Sequence, residues 1–174
     1  MQHIASLATH DALTGLWNRR QIDLDLEAAI NHAERHGSVL CIALVDVDHF
    51  KAINDRYGHA VGDEVLVNVA HCLAASVRVG DKAARFGGEE FLLVLPTTSM
   101  AQASALAERL RLQLEALQSL PVKEAPVTAS FGLAAWRRGE TAAQVLRRVD
   151  QALYRAKASG RNRVEVDSLF CALG

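Results

Sequence analysis

Two pairs of acidic residues carry most of the chemistry this sequence offers. Asp46 and Asp48 end an almost unbroken apolar run, Val39 to Val45. Two apart at the end of an extended segment, they share one face. Glu89 and Glu90 follow Gly87 and Gly88 in Arg85-Phe86-Gly87-Gly88-Glu89-Glu90-Phe91, between Lys82-Ala83-Ala84 and the apolar run Leu92-Leu93-Val94-Leu95 that Pro96 closes. This pattern predicts a β-hairpin with a tight glycine turn. The glycines permit positive φ and the close approach of a backbone or a ligand. If the two acidic pairs lie side by side, up to four carboxylates meet. Like charges about 4 Å apart repel by roughly 4 kcal/mol at an effective dielectric near 20. A hard divalent cation relieves that repulsion, and oxygen donors of this kind suit Mg²⁺ held by one or two carboxylates together with substrate phosphates. The competing reading is plainer: a solvated acidic turn, and two aspartates that cap the loop after a strand.

Three further pairs have two readings each. Asn54 and Asp63 are able to read a purine edge, since a carboxylate accepts from both N–H donors of guanine and an amide offers a donor and an acceptor. They also suit a turn and a helix N-cap. Lys157 and Arg161 bracket a helix end, where cations are favoured without any ligand, and both are able to grip phosphate. Arg78 and Asp81, in Arg78-Val79-Gly80-Asp81, read as a helix-end arginine and a turn aspartate, or as a bidentate guanidinium beside an acceptor for guanine N–H groups.

One domain of 174 residues, half of them apolar and 22% charged, has to position these groups. That is an ordinary globular balance with enough length for a sizeable core. The net charge of -1 gives no basic field for a nucleic acid. No apolar run reaches bilayer length, and the N-terminus lacks a secretory pattern. Cys41, Cys72 and Cys171 are odd in number and far apart, which fits reduced thiols and a cytoplasmic setting without membrane contact. Neither the cysteines nor the seven histidines have the spacing of metal ligands.

The periodicity predicts the end of a linker helix over 1–10, then a helix capped by Asn18 and stopped by Gly37, with Ile22, Leu26, Ala29, Ile30 and Ala33 on one face. The apolar run is a strand buried on both faces. Residues 49–58 form a short irregular or helical connection, and a long helix opens at Val61-Gly62-Asp63. After the hairpin come a helix capped by Ser99, a strand over Val127 to Ala135, a helix capped by Thr141 with Gly160 beyond it, and an edge strand over Val164 to Val166. Helix, strand, helix, hairpin, helix, strand, helix, strand is an α+β order: a mainly antiparallel sheet with helices packed on it.

The motifs in their order resemble the GGDEF domain, the catalytic domain of diguanylate cyclases. The resemblance runs over roughly residues 8–166 and rests on Asp11-x-Leu-Thr-Gly-Leu-x-Asn-Arg-Arg20, Asp46-x-Asp-x-Phe-Lys-x-Ile-Asn-Asp55, Gly58-His-x-x-Gly-Asp63, Arg85-x-Gly-Gly-Glu-Glu-Phe91, Ser130-Phe-Gly132 and Asp150-x-Ala-Leu-Tyr-x-Ala-Lys-x-x-Gly-Arg-Asn162. It implies a palm-like fold of the ferredoxin-like, nucleotidyl-cyclase type, over residues 11–170, with 171–174 as a tail. It implies condensation of two GTP into cyclic di-GMP and two pyrophosphates, between two copies that each hold one GTP. Asp46 and Glu89 match metal ligands with the Val47 carbonyl, and Glu90 a second acid of the catalytic set, for Mg²⁺ (or Mn²⁺), two per half-site. Asp48 has no clear counterpart role. Asn54 and Asp63 match guanine readers, and relatives that accept ATP carry a smaller residue at the Asp63 position. Phe50, Lys51, Lys157 and Arg161 match the phosphate set, and Gly87 and Gly88 the turn beneath the nucleotide. The glutamate at the third place of Gly-Gly-Glu-Glu-Phe is a variant that active members share. Arg78 and Asp81 match an Arg-x-x-Asp product-inhibition site, five residues before Gly87. Resembling proteins carry a regulatory domain ahead of the signature, so a longer chain is expected. The alternative is a catalytically weak module that binds GTP or cyclic di-GMP and relays a signal; its mark would be lost glycines or acids, and both are intact.

Overall fold

A computed structural model describes residues 8–117, 122 and 125–167. Ala8 and Thr9 are helical, while the start of the expected linker helix and the tail at 171–174 lie outside the described residues. Helix α1 spans Arg19–His36, β1 Leu40–Val47, α2 Phe50–Tyr57 and α3 His59–Ser76. Strands β2 (Lys82–Arg85) and β3 (Glu90–Pro96) form the hairpin; α4 (Met100–Glu115), β4 (Ala129–Ala135), α5 (Ala142–Ala158) and β5 (Val164–Val166) follow.

The strands lie in the order β2-β3-β1-β4-β5, antiparallel except for the parallel pair β4–β5. The α+β expectation therefore holds, with a mixed edge. Central β1 is buried along its whole length, and alternation sends its two faces to different cores. Leu40, Ile42 and Leu44 join Ile22, Leu26 and Ile30 of α1 and Val145, Val149 and Leu153 of α5. Cys41, Ala43, Val45 and Val47 join Val65, Leu66, Val69 and Leu73 of α3 and Leu110 and Leu114 of α4. Burial pushes the Cys41 thiol up to about 11, so it is an inert core group.

The helix signals read from sequence are the ones used. The side chains of Asn18, Ser99 and Thr141 accept from the N–H of Gln21, Gln102 and Gln144, and Gly37 closes α1 in the left-handed region at φ 63°. The starts of β1, of α3 and of β4 (Ala129 rather than Val127) differ from those read from sequence. Val39 is exposed, and β1 instead runs on to Val47, because β3 and β4 both pair with it as far as Asp46. Of the two readings of residues 49–58 the helical one is found, over Phe50–Tyr57 and closed by Gly58. Helix α3 starts at His59, which makes Asp63 its fifth residue and rules out an N-cap role there.

Gly132 fixes where α5 lies. A Cβ at this position would stand 2.4 Å from the Leu153 backbone nitrogen and 2.5 Å from the Val149 carbonyl oxygen, so only glycine lets the α5 backbone rest on β4. That close docking brings the C-terminal turn of α5, with Lys157, over the end of β1.

Candidate active site

The acidic cluster forms where β1 ends. Asp46 and Glu90 are direct partners in the β1–β3 ladder, so their side chains leave the sheet on the same face. Like charges in that position destabilise a sheet pair. Glu89 stands one residue before β3, and its carbonyl accepts the Val47 N–H at 3.2 Å. Lys157 reaches the cluster from α5, with Nζ 2.9 Å from Asp46 Oδ2. Asp150, seven residues before Lys157 and so on the same side of α5, is close enough to Glu90 to act on its charge.

The three carboxyls all sit above their usual range. Burial raises Asp46, Lys157 lowers it through a hydrogen bond and its charge, and Asp48 raises it again. Burial and then the charge of Asp46 raise Glu89 and Glu90, with Lys157 opposing in both. One lysine thus faces three acids, and net negative charge is left over. The fold tolerates this because each fully buried leucine or isoleucine on the two core faces contributes roughly 1.5–3 kcal/mol, so several of them outweigh one unscreened carboxylate pair.

Asp48 shares the face of Asp46, as alternation requires, yet it does not complete a four-acid centre. Its Oδ1 accepts Ser130 Oγ at 2.6 Å, and its Oδ2 accepts Thr128 Oγ1 at 2.7 Å and the Asn162 N–H at 3.0 Å. Its lone pairs are committed to β4 and to the turn after α5.

Beside the cluster is a cleft of about 470 Å³ lined by Phe50, Lys51, Asn54, His59, Asp63, Leu66, Arg85, Gly88 and Glu89. The volume is in the range of small-molecule sites. It brings together six of the residues singled out from sequence. Asn54 and Asp63 meet there because α2 and α3 pack closely: a Cβ on Gly62 would fall 1.8 Å from Asn54 Oδ1. The same Oδ1 is buried and has no hydrogen-bond partner. Among the described residues the Asp63 carboxylate, exposed at the cleft wall, has no partner either. His49 gives α2 no side-chain cap, so the first-turn N–H groups at Phe50 and Lys51 are open to an anion.

The signature loop is held by two arginines, of which Arg85 stands in the cleft wall. Arg85 Nη2 donates to the Gly88 carbonyl at 2.8 Å and Nη1 to Asp11 Oδ1 at 3.3 Å. Burial pushes the Asp11 carboxyl up, but the Thr14 hydroxyl and N–H and the Arg85 charge outweigh it and hold it below its usual range. Arg19 lies 3.6 Å over the Phe86 ring and donates to its carbonyl. Gly87 and Gly88 are not in the left-handed region, contrary to what a tight glycine turn suggests. A Cβ on Gly88 would meet nothing, and one on Gly87 only ordinary contacts. The fold itself does not need glycine at these two positions.

Arg161, at φ 63° in the turn after α5, is exposed. Arg78 and Asp81 lie apart from the cleft, at a second cavity of about 260 Å³ that Thr98, Gln102 and Arg109 also line. Arg78 Nη2 donates to Thr98 Oγ1 at 2.6 Å, and Asp81 Oδ2 accepts the Arg78 N–H at 2.9 Å. The turn reading of this pair is therefore satisfied, with the guanidinium at the cavity mouth.

Sequence reasoning gave no role to Arg85, His59, Asp150 or Arg109. The helical interval from Lys157 was enough to find Asp150, whereas Arg109 comes to Arg78 only through the packing of α4.

The family model for the diguanylate cyclase GGDEF domain matches residues 8–163. The chain belongs to this family. It is 45% identical over 161 residues to diguanylate cyclase DgcP of Pseudomonas aeruginosa, covering 91% of this chain and 24% of that one. It is 40% identical over 168 residues to response regulator PleD of Caulobacter vibrioides, covering 94% and 37%. The chain thus spans well under half the length of either relative. The crystal structure of the GGDEF domain of DgcB from Caulobacter crescentus, in complex with c-di-GMP, superposes with a TM-score of 0.88 at 37% identity, covering 92% of this chain and 94% of that one. The active GGEEF domain of a diguanylate cyclase from Vibrio cholerae superposes at 0.82 and 36% identity, covering 87% and 97%; it carries the same glutamate variant as Gly87–Phe91. No helix of the described residues is long and apolar enough to cross a membrane.

Proposed function

We propose that this domain is a diguanylate cyclase that works as a pair of facing copies. The observation that carries the reading is the meeting, at the end of β1, of three carboxyls raised above their range with a cleft that holds Asn54 and Asp63. In each of two reciprocal steps the 3′-oxygen of one GTP bonds to the α-phosphorus of the other. The α–β bridging P–O bond breaks, pyrophosphate leaves and the hydroxyl proton is lost. One copy holds one GTP and offers no second 3′-hydroxyl in line, so two copies must meet.

Within each copy, Asp63 and Asn54 read the guanine, Asp63 by accepting from its N–H donors and the Asn54 amide by offering a donor and an acceptor. The first-turn N–H groups of α2 at Phe50 and Lys51, together with Lys157 and Arg161, hold the phosphates. Gly87 and Gly88 stay bare so that the nucleotide lies against the loop. Asp46, Glu89, Glu90 and the Val47 carbonyl are a hard-oxygen donor set and fit Mg²⁺ or Mn²⁺. Among the described residues no three His, Cys, Asp or Glu side chains are arranged to ligate an ion as they stand. The ion would draw Asp46 away from Lys157 and free that ammonium for phosphate. Bound there, two ions per half-site would neutralise the triphosphate and favour the ionised 3′-oxygen.

The test is GTP with Mg²⁺ over a series of protein concentrations, reading cyclic di-GMP. Specific activity is expected to rise with concentration in the dilute range, and forced pairing to raise it further. GTP binding without product at any concentration would leave the relay-module reading standing instead.

The cavity with Arg78, Asp81 and Arg109 is proposed as the product-inhibition site. Bidentate guanidinium groups suit the phosphates and guanine edges of cyclic di-GMP. Product held there would clamp two domains so that their half-sites cannot face each other. Arg78→Ala is expected to keep the initial rate without product and to weaken inhibition by added cyclic di-GMP about tenfold or more. Equal inhibition curves for the two proteins would remove Arg78 from this role.

A further inference from the structure

Arg161 is presented by a turn that its sequence would not adopt unaided. Gly160, Arg161 and Asn162 all have positive φ, at 120°, 63° and 46°. Side chains other than glycine rarely take this conformation, and it persists only where the surroundings over-determine it. Here four parts of the chain do so. Asp48, just past β1, accepts the Asn162 N–H at 3.0 Å. From α4, Glu115 Oε2 accepts Asn162 Nδ2 at 2.9 Å, and Arg111 Nη1 donates to Asn162 Oδ1 at 3.0 Å. The last turn of α5 closes the loop through the Arg161 N–H to the Ala156 carbonyl at 3.0 Å, and β4 grips its far end through the Phe131 N–H to the Arg163 carbonyl at 2.9 Å. Asn162 is tied by its main chain and both ends of its amide. Among the described residues the neighbouring Arg161 guanidinium has no partner at all.

We infer that Asn162, with Asp48 and Glu115 behind it, is a positioning residue for the nucleotide's phosphates. Asparagine is among the few residues that accept the left-handed region, and its amide spends each of its ends on α4. The turn is thereby fixed, so that only the Arg161 side chain, and not the backbone that carries it, has to be ordered when it meets the phosphate chain. The same bonds explain the place of Asp48, which shares the face of the acidic cluster and yet turns from it. This inference rests on the reading of Arg161 as a phosphate ligand, and the experiment separates the two.

GTP and guanosine affinities are measured by calorimetric titration for the unmutated protein, Arg161→Ala, Asn162→Gly, Glu115→Ala and the double variant Arg161→Ala/Asn162→Gly. Glycine accepts the left-handed backbone without strain and removes the amide tethers; Glu115→Ala, at a half-buried position, removes one of them. Asn162→Gly is expected to weaken GTP about tenfold, and Glu115→Ala less, with guanosine affinity unchanged in both. The double variant should bind GTP no more weakly than Arg161→Ala alone, since a guanidinium that is absent needs no positioning. An additive loss in the double variant, an equal loss for guanosine, or an unchanged GTP affinity in Asn162→Gly beside a weakened Arg161→Ala would overturn the positioning role. An unchanged GTP affinity in Arg161→Ala would instead overturn the phosphate reading on which it rests.

Discussion

Glu89→Ala is expected to abolish cyclic di-GMP formation and, at the same time, to make the metal-free domain more stable. Both results come from one feature, an acidic cluster with more negative charge than the protein neutralises. Glu89 is half-buried, beside Asp46, with Glu90 next in the chain and only Lys157 in opposition. On the proposed reading of Glu89 as a donor to a divalent ion, its removal should lower the rate by roughly a thousandfold or more, the loss of several kcal/mol of transition-state stabilisation. The stability change has the opposite sign. The carboxyls of Asp46, Glu89 and Glu90 all lie above their ordinary range, so in the pH window between the ordinary and the raised values the folded chain holds protons that the unfolded chain has released. Stability of the metal-free protein therefore falls as pH rises through that window. With Glu89 gone the fall is shallower, and the melting temperature at neutral pH is higher than that of the unmutated protein in the presence of a chelator. Adding Mg²⁺ should raise the melting temperature of the unmutated domain and have little effect on the variant. Near-normal turnover in Glu89→Ala at ordinary Mg²⁺ would show that the cluster has another purpose.

The sequence makes the cluster legible and leaves its supports obscure, for a physical reason. Alternation along an apolar strand places Asp46 and Asp48 on one face, and a glycine hairpin delivers Glu89 and Glu90; both are local rules. The ladder that sets Glu90 opposite Asp46 follows from the hairpin packing against β1, which outweighs the repulsion between the two carboxyls. By contrast, Asp48 bonds to Asn162, 114 residues further on, and Arg85 to Asp11, 74 residues back. Those partners are fixed by topology, and no spacing rule reaches so far. Helix propensity at residues 50–57 is another case. Asn54-Asp55 has turn chemistry, yet Phe50 and Ile53 are buried against α3, and that packing holds the segment helical. The two glycines of the signature show the converse. Their conformations demand no glycine, so a reading from turn chemistry alone gives the right element for a reason the backbone does not bear out. The proposed function accounts for them by space for a ligand, which a sequence pattern records and the fold alone does not require.

Selection of GTP over ATP is the second large effect expected, and Asp63 is its main source. Guanine offers N1–H and N2–H side by side, and one carboxylate accepts from both. Adenine presents an unprotonated N1 at the same place, so a carboxylate there meets an acceptor, is repelled and loses its hydration without return. Sites built to bond a donor reject the analogue that lacks it by as much as 10⁴–10⁵. Asp63 is free for this work. It lies within α3 and caps nothing, is exposed to the cleft, and has no partner among the described residues. Asn54 faces the same cleft from α2 with its oxygen unpaired, held there by the contact that only Gly62 permits. With GTP and ATP each supplied alone at equal concentration, product mass should show turnover of ATP lower by about a thousandfold or more. Asp63→Ser should compress that ratio, mainly by slowing GTP, because the repulsion of adenine N1 is removed together with the grip on guanine. Circular dichroism of the variant should match the unmutated domain, since the side chain stands outside both cores. Comparable turnover of the two nucleotides by the unmutated protein would mean that the base is read elsewhere, and the cleft beside the acidic cluster would then have to bind the nucleotide by its phosphates alone.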